Sequence, residues 1–201
     1  MEPNKKTLWP GSFLKRFNNE WFSFLIIILA AAGVYFFVQA FLFRSYVVEG
    51  QSMETTLSHN DRLIINKLPR TLSRITKNAY IPQRGDIVIF NQAGPLSTEK
   101  QLIKRVIGLP GERVVVKKGA LIVFNSSHPN GYDPDKAGLY FIAVADTPGS
   151  VDITLKANQI FVLGDNRENS EDSRYFGAVA VNKVVGKLAF RLMPLNEAQR
   201  F

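Results

Sequence analysis

The sequence predicts a mainly β domain, an antiparallel barrel or sandwich, carried behind one transmembrane α-helix. Three observations lead there: a long uncharged apolar run near the N-terminus, a period-two apolar pattern beyond it, and an ordinary core-forming composition. Of the 201 residues, 46% are apolar and 21% charged, which is neither a disordered nor a fibrous composition. Cysteine is absent, which excludes a disulfide scaffold, a thiol nucleophile and a cysteine-based zinc site. With only His59 and His128 present, a multi-histidine metal cluster is not expected either. Chemistry is left to hydroxyls, carboxylates and amines, and no metal or cofactor is implied.

The first element is the helix. Trp21 to Phe43 carries no charge and is bounded by Glu20 and Arg44. At the α-helical rise it reaches roughly 34 Å, enough to cross a hydrocarbon core. A buried core helix and a cleavable signal segment ending at Val38-Gln39-Ala40 are the rivals. Against the second, the apolar run continues through Phe41-Leu42-Phe43. Lys5, Lys6, Lys15 and Arg16 precede the run against Glu2 and Glu20, which predicts an N-terminus kept in the cytoplasm. The expected organisation is a cytoplasmic segment over 1–20, a span over 21–43, and an extracytoplasmic β-rich domain over 44–201. A formal charge of +8 does not imply nucleic acid for a domain held outside the cytoplasm. The basic run Arg62, Lys67, Arg70, Arg74, Lys77, Arg84 reads as a solvated face, or as a contact with anionic lipid headgroups.

Strands follow. The expected ones are Tyr46–Val48, Leu63–Asn66, Asp86–Phe90, Leu102–Ile107, Arg113–Val116, Leu121–Phe124, Tyr140–Val144, Asp152–Leu155, Ile160–Leu163 and Val184–Leu192. They are rich in Val, Ile and Phe and are separated by Gly, Pro, Asn or Asp. Lys117-Lys118-Gly119-Ala120 reads as a hairpin connection. Residues 125–138, with Pro129, Asn130, Gly131, Pro134 and Gly138, read as a long surface loop or flap.

Two stretches suggest chemistry. Along Gln101–Ile107, alternation places Leu102, Lys104 and Val106 on one face and Ile103, Arg105 and Ile107 on the other. Both faces are mostly apolar, so at least one basic side chain is drawn toward low-dielectric surroundings. Burial lowers a lysine pKa and makes the amine usable as a general base; snorkelling of the amine to water is the alternative. The second stretch is Gly50-Gln51-Ser52-Met53, where a serine after a glycine turn places a hydroxyl beside backbone amides. It departs from the Gly-x-Ser-x-Gly elbow because Glu54 replaces the second glycine. A triad using His59 or His128 stays open at this point.

Ser52-Met53-Glu54-Thr55-Thr56-Leu57 resembles the nucleophile box of type I signal peptidases, usually Ser-Met-x-Pro-Thr-Leu. Gly85–Phe90 is similar to the family's next box. Lys104-Arg105-Val106-Ile107-Gly108-Leu109-Pro110-Gly111-Glu112 is similar to its general-base box, which usually ends in Asp. Gly164-Asp165-Asn166-Arg167-Glu168-Asn169-Ser170-Glu171-Asp172-Ser173-Arg174-Tyr175-Phe176-Gly177 resembles the last box almost throughout. The four boxes stand in family order behind an anchor.

The resemblance implies a Ser/Lys-dyad endopeptidase of the bacterial cytoplasmic membrane, single-pass, with its catalytic domain on the outer side. Ser52 would be the nucleophile and Lys104 the general base. Ser170 would hydrogen-bond the Lys104 amine. Asp165 with Arg105, and Asp172 with Arg174, would brace the site. The oxyanion hole would use the Ser52 N–H; the serine hydroxyl that some family members add as a second donor is replaced here by Gly50. The implied substrates are exported preproteins cut at Ala-x-Ala sites. The peptide would lie beside Gln101, Leu102 and Ile103, with Met53, Leu57 and Ile103 lining shallow pockets. Thr55 stands where the family usually has Pro. The other readings are a specialised peptidase for a secretion or conjugation component, and a non-catalytic β-domain that binds signal peptides.

Overall fold

A computed structural model describes residues 11–76, 79–93, 99–140, 142 and 146–201, with the backbone alone over 11–20. The chain divides into two compact units, Met1–Ala40 and Phe41–Phe201. In the first, helix α1 spans Gly11–Phe37 and passes into a π-helical turn at Val38–Leu42. The apolar stretch Trp21–Leu42 has 22 residues, none of them buried. Leu, Ile and Ala tolerate helix well, and such a length and composition suffice to cross a bilayer. Residues 1–10, with Lys5 and Lys6, lie outside the described residues.

The second unit is built from β1 (Phe43–Val47), β2 (Arg62–Asn66), helix α2 (Leu68–Thr76), β3 (Ile87–Ala93), β4 (Glu99–Gly108), β5 (Arg113–Lys117) and β6 (Ala120–Phe124). It continues with β7 (Val151–Thr154), β8 (Gln159–Leu163), helix α3 (Ser173–Phe176), β9 (Val179–Ala180), β10 (Val184–Met193) and β11 (Gln199–Arg200). An eight-stranded antiparallel sheet runs in the order β1-β2-β10-β3-β4-β8-β9, with β11 paired to β10. A three-stranded sheet follows the order β6-β5-β7. The fold is thus mainly antiparallel β behind one apolar helix.

Strand β3 is buried on both faces. Ile87 and Ile89 pack with Val48, Leu63, Ile65 and Leu188, while Val88 and Phe90 pack with Val106, Ile160, Val162 and Val184. A third cluster, including Ile107, Phe161 and Leu163 of the large sheet and Val114, Val116, Leu121 and Val123 of the small one, joins the two. Such a continuous apolar strand is what two-sided burial requires.

Strand β4 positions the site. Its whole length pairs with β3, from Glu99 opposite Ala93 to Arg105 opposite Ile87. On its other edge β8 pairs only with Arg105, Val106 and Gly108. Among the described residues, the edge at Gln101–Ile103 therefore has no strand beside it.

Nine of the ten expected strands form, with ends shifted by a few residues. The tenth, Tyr140–Val144, falls mostly outside the described residues, and Tyr140 itself lies in a bend. The hairpin between β5 and β6 turns at Lys118 (φ 52°) and Gly119 (φ 81°), the paired positive φ values of a tight antiparallel turn. Segment 125–138 is no free flap. Val123 and Tyr132 exchange backbone hydrogen bonds at 2.8 and 3.0 Å, and Asp135 is held by Arg167. Helix α2 was not expected. The Asn66 side chain accepts from the Leu68 N–H at 2.9 Å, an Asx turn leading into the helix, and Pro69 is compatible with a first helical turn.

Candidate active site

Ser52 sits in a compact turn, where Glu54 N–H donates to the Gln51 carbonyl and both Thr56 and Leu57 N–H groups donate to the Met53 carbonyl. The turn follows β1 and lies against β4. There Lys104 Nζ stands 2.6 Å from Ser52 Oγ, and Lys104 is only 3% exposed. Desolvation pushes its pKa down to about 8, against the opposing fields of Asp172, Asp165 and Glu171. No carboxylate lies within ion-pair distance of the amine among the described residues. A buried amine without a carboxylate partner is the arrangement in which lysine gives up its proton most readily.

Arg105 faces away from Lys104. It grips Asp165 through two contacts of 2.8 and 2.6 Å. It also donates to the Gly85 carbonyl at 2.9 Å and to Thr56 Oγ1 at 3.3 Å, and lies over the Tyr140 ring. One guanidinium thus ties the nucleophile turn, the start of β3 and the end of β8 together.

The segment from Gly164 to Gly177 closes the site from the other side. Asp172 caps α3, taking the Arg174 N–H, and pairs with the Arg174 guanidinium at 2.8 Å. Its second oxygen accepts from Gly164 N–H at 3.1 Å. Asn166 reaches the nucleophile turn, its N–H donating to the Ser52 carbonyl at 3.1 Å and its side-chain amide to the Gln51 carbonyl at 3.2 Å. Gly164 itself admits no side chain. A Cβ there would stand 2.2 Å from Ser170 Oγ and 2.4 Å from the Ser52 carbonyl oxygen.

Not every expected contact forms. Ser170 Oγ is buried but makes no hydrogen bond, to Lys104 or to any other of the described residues. It occupies the space that Gly164 leaves open. Met53 and Leu57 are 1% and 0% exposed and pack into the first core cluster. They stand one turn apart, both facing the core, and neither is among the residues that line the groove described below. The Gly50 N–H, at the expected second oxyanion position, donates to His59 Nδ1 at 3.2 Å. His128 lies beside Asn125 and against the Tyr132 ring. Among the described residues, no hydrogen bond joins either histidine to Ser52.

A groove of about 240 Å³ opens beside the pair, lined by Tyr46, Val48, Glu49, Ser52, Gln101, Ile103 and their neighbours. Its lining includes Gln101–Ile103, the stretch of β4 that β8 leaves unpaired, as well as Ser52 and Lys104.

Two contributors went unseen in the sequence. Asn166 was inside a recognised box but carried no assigned role. Arg167 is 3% exposed; it donates to the Gly164 carbonyl at 3.1 Å, to Thr147 and, by two bonds, to Asp135. Asp135 stands 32 positions away, so no local pattern announces the pair.

A serine hydroxyl stands against a buried amine, on a β domain that follows an apolar helix, which puts a nucleophile type and a base type side by side. The family described as signal peptidase, peptidase S26, matches residues 19–193, and the chain belongs to that family. It is 37% identical over 171 residues to a signal peptidase I of Bacillus caldolyticus, covering 80% of this chain and 85% of that protein. It is 32% identical to a signal peptidase I of Bacillus amyloliquefaciens over 93% of both chains. A crystal structure of a signal peptidase I from Enterococcus faecalis V583 aligns at 32% identity with a TM-score of 0.40, over 54% of this chain and 97% of that one.

Proposed function

We propose that this protein is a membrane-anchored endopeptidase that removes N-terminal signal peptides from exported preproteins, with Ser52 as nucleophile and Lys104 as general base. The observation that carries the reading is the 2.6 Å approach of Ser52 Oγ to the buried Lys104 amine. The neutral amine takes the hydroxyl proton as Oγ attacks the scissile carbonyl carbon. The negative charge that develops on the carbonyl oxygen meets the Ser52 N–H. Lys104 then returns the proton to the leaving amine, and an acyl-enzyme ester remains on Ser52. Water attacks the ester, giving its proton to Lys104, and the acid product leaves as Ser52 regains a proton.

The peptide adds as a strand along Gln101–Ile103, where β4 offers unpaired backbone groups. Alternating side chains then point into and out of the groove, whose modest volume of about 240 Å³ suits small residues of the Ala-x-Ala type. The apolar stretch Trp21–Leu42 anchors the chain once, with the N-terminus in the cytoplasm and residues 44–201 on the outer side of the bacterial cytoplasmic membrane. The test is processing of a preprotein bearing an Ala-x-Ala site by the full chain in liposomes. Cleavage after the second Ala, lost in both Ser52→Ala and Lys104→Met, supports the reading. Cleavage that survives Lys104→Met overturns it.

A further inference from the structure

Helix α2 is a site that the proteolytic chemistry does not use. Its residues Leu68, Thr71, Leu72 and Ile75 fall at positions i, i+3, i+4 and i+7, one face of the helix. On that face Leu68 is 39%, Leu72 48% and Ile75 72% exposed, a run of apolar side chains open to the surroundings on a helix with no buried residue. The opposite side is fastened to the domain: Tyr80 N–H donates to Ser73 Oγ at 3.0 Å, and the Arg70 guanidinium donates to the Asn182 carbonyl.

What surrounds the apolar face follows from where the helix is tied. Thr71 Oγ1, at the edge of that face, donates to the Phe41 carbonyl at 2.9 Å, and Lys67 N–H donates to the Leu42 carbonyl at 2.7 Å. Phe41 and Leu42 are the last residues of the apolar stretch, so α2 begins where the chain would leave the hydrocarbon. Charge points the same way. From Arg62 to Arg84 the chain has six cations and no carboxylate. Lys67 has its pKa lowered by desolvation and by the fields of Arg44 and Arg74; Lys67 stands just before α2 and Arg74 in its last turn, so like charges bracket the helix. An apolar face flanked by basic residues is the pattern of a helix lying in a bilayer interface, drawn by anionic headgroups.

We propose that α2 is an interfacial membrane helix, which lays Leu68, Leu72 and Ile75 into an anionic bilayer surface and so fixes the catalytic domain against the membrane beside its own anchor. This rests on the reading that Trp21–Leu42 spans a bilayer. The consequence is positional. With α2 seated, the β4 groove is held at a set height over the bilayer instead of swinging on its tether, which matters for a cleavage site that emerges from the same membrane.

The chain has no cysteine, so single-cysteine spin labels report unambiguous depths. The full chain is reconstituted in vesicles of phosphatidylcholine with phosphatidylglycerol, with labels at Ile27→Cys, Ile75→Cys and, as an aqueous reference, Lys118→Cys. The expected result is that collisions with oxygen dominate at 27 and 75, and collisions with a water-soluble nickel chelate at 118. A label at 75 as open to the nickel chelate as that at 118, with 27 still in lipid, overturns the proposal alone. A label at 27 in water overturns the anchor reading instead. A label at 75 shielded from both quenchers means a protein occupant and also overturns the proposal. The functional arm uses Leu72→Ser with Ile75→Ser. Processing of a membrane-inserted preprotein falls several-fold while cleavage of a short soluble peptide stays unchanged; equal loss on both substrates overturns the positional role.

Discussion

Lys104 and Arg105 are neighbours on β4, both cations and both almost wholly buried, yet their surroundings are opposite. Arg105 has a carboxylate gripping it at two points, together with a carbonyl, a hydroxyl and a ring. Lys104 has one hydroxyl. Strand alternation produces the split, because adjacent side chains leave opposite faces. The difference shows how one strand serves two ends. A cation with a full set of partners stays charged and holds its neighbours; a cation denied a carboxylate drifts toward its neutral form and becomes a base. Arginine suits the first role because it does not lose its proton in proteins, and lysine suits the second because burial shifts it readily.

The sharpest way to break this comparison is to remove each cation's function separately. Lys104→Met is expected to reduce cleavage by on the order of 10³-fold or more, as loss of a catalytic base does. It should leave the thermal midpoint unchanged or raised, since a buried charge is replaced by an apolar chain of similar reach. A marked loss of stability in that variant would mean the amine is held by partners as Arg105 is.

Asp165→Ala should act the other way. It leaves the Arg105 guanidinium buried without its carboxylate, and a cost of about 3–5 kcal/mol in denaturant unfolding is expected. A cost below about 1 kcal/mol would show that Arg105 reaches water on its own. Between the two comes Gly164→Ala. Its new methyl would meet Ser170 Oγ and the Ser52 carbonyl, so about 1–3 kcal/mol of strain is expected. Activity should fall further than that strain alone implies, because the displaced atoms belong to the nucleophile turn.

The comparison also explains what the sequence revealed. The strands were legible because Val, Ile and Phe repeat at a strand's period, and the placement of Lys104 and Arg105 on opposite faces followed from the same alternation. The partners that give each face its character are distant in sequence. Asp165 lies 60 positions from Arg105, and only the resemblance of the box at Gly164–Gly177 suggested the pair. The Asp135–Arg167 pair had no such signal. Met53 and Leu57 were expected to line the groove because they flank the nucleophile, but their one-turn spacing sends both into the core. Helix α2 was missed because nine residues with a proline and two arginines look like a polar loop.

The most direct measurement is the pH dependence of the acylation step, followed as single-turnover cleavage of a preprotein by the full chain from pH 6 to 10. Lys104 carries a proton below its folded pKa and cannot then accept one from Ser52, so the rate should rise with pH through about 8 and level off above it. A rate already level by pH 7, with its limb near the ordinary histidine value of about 6.5, would hand the base role to His59 or His128 and contradict the assignment of Lys104.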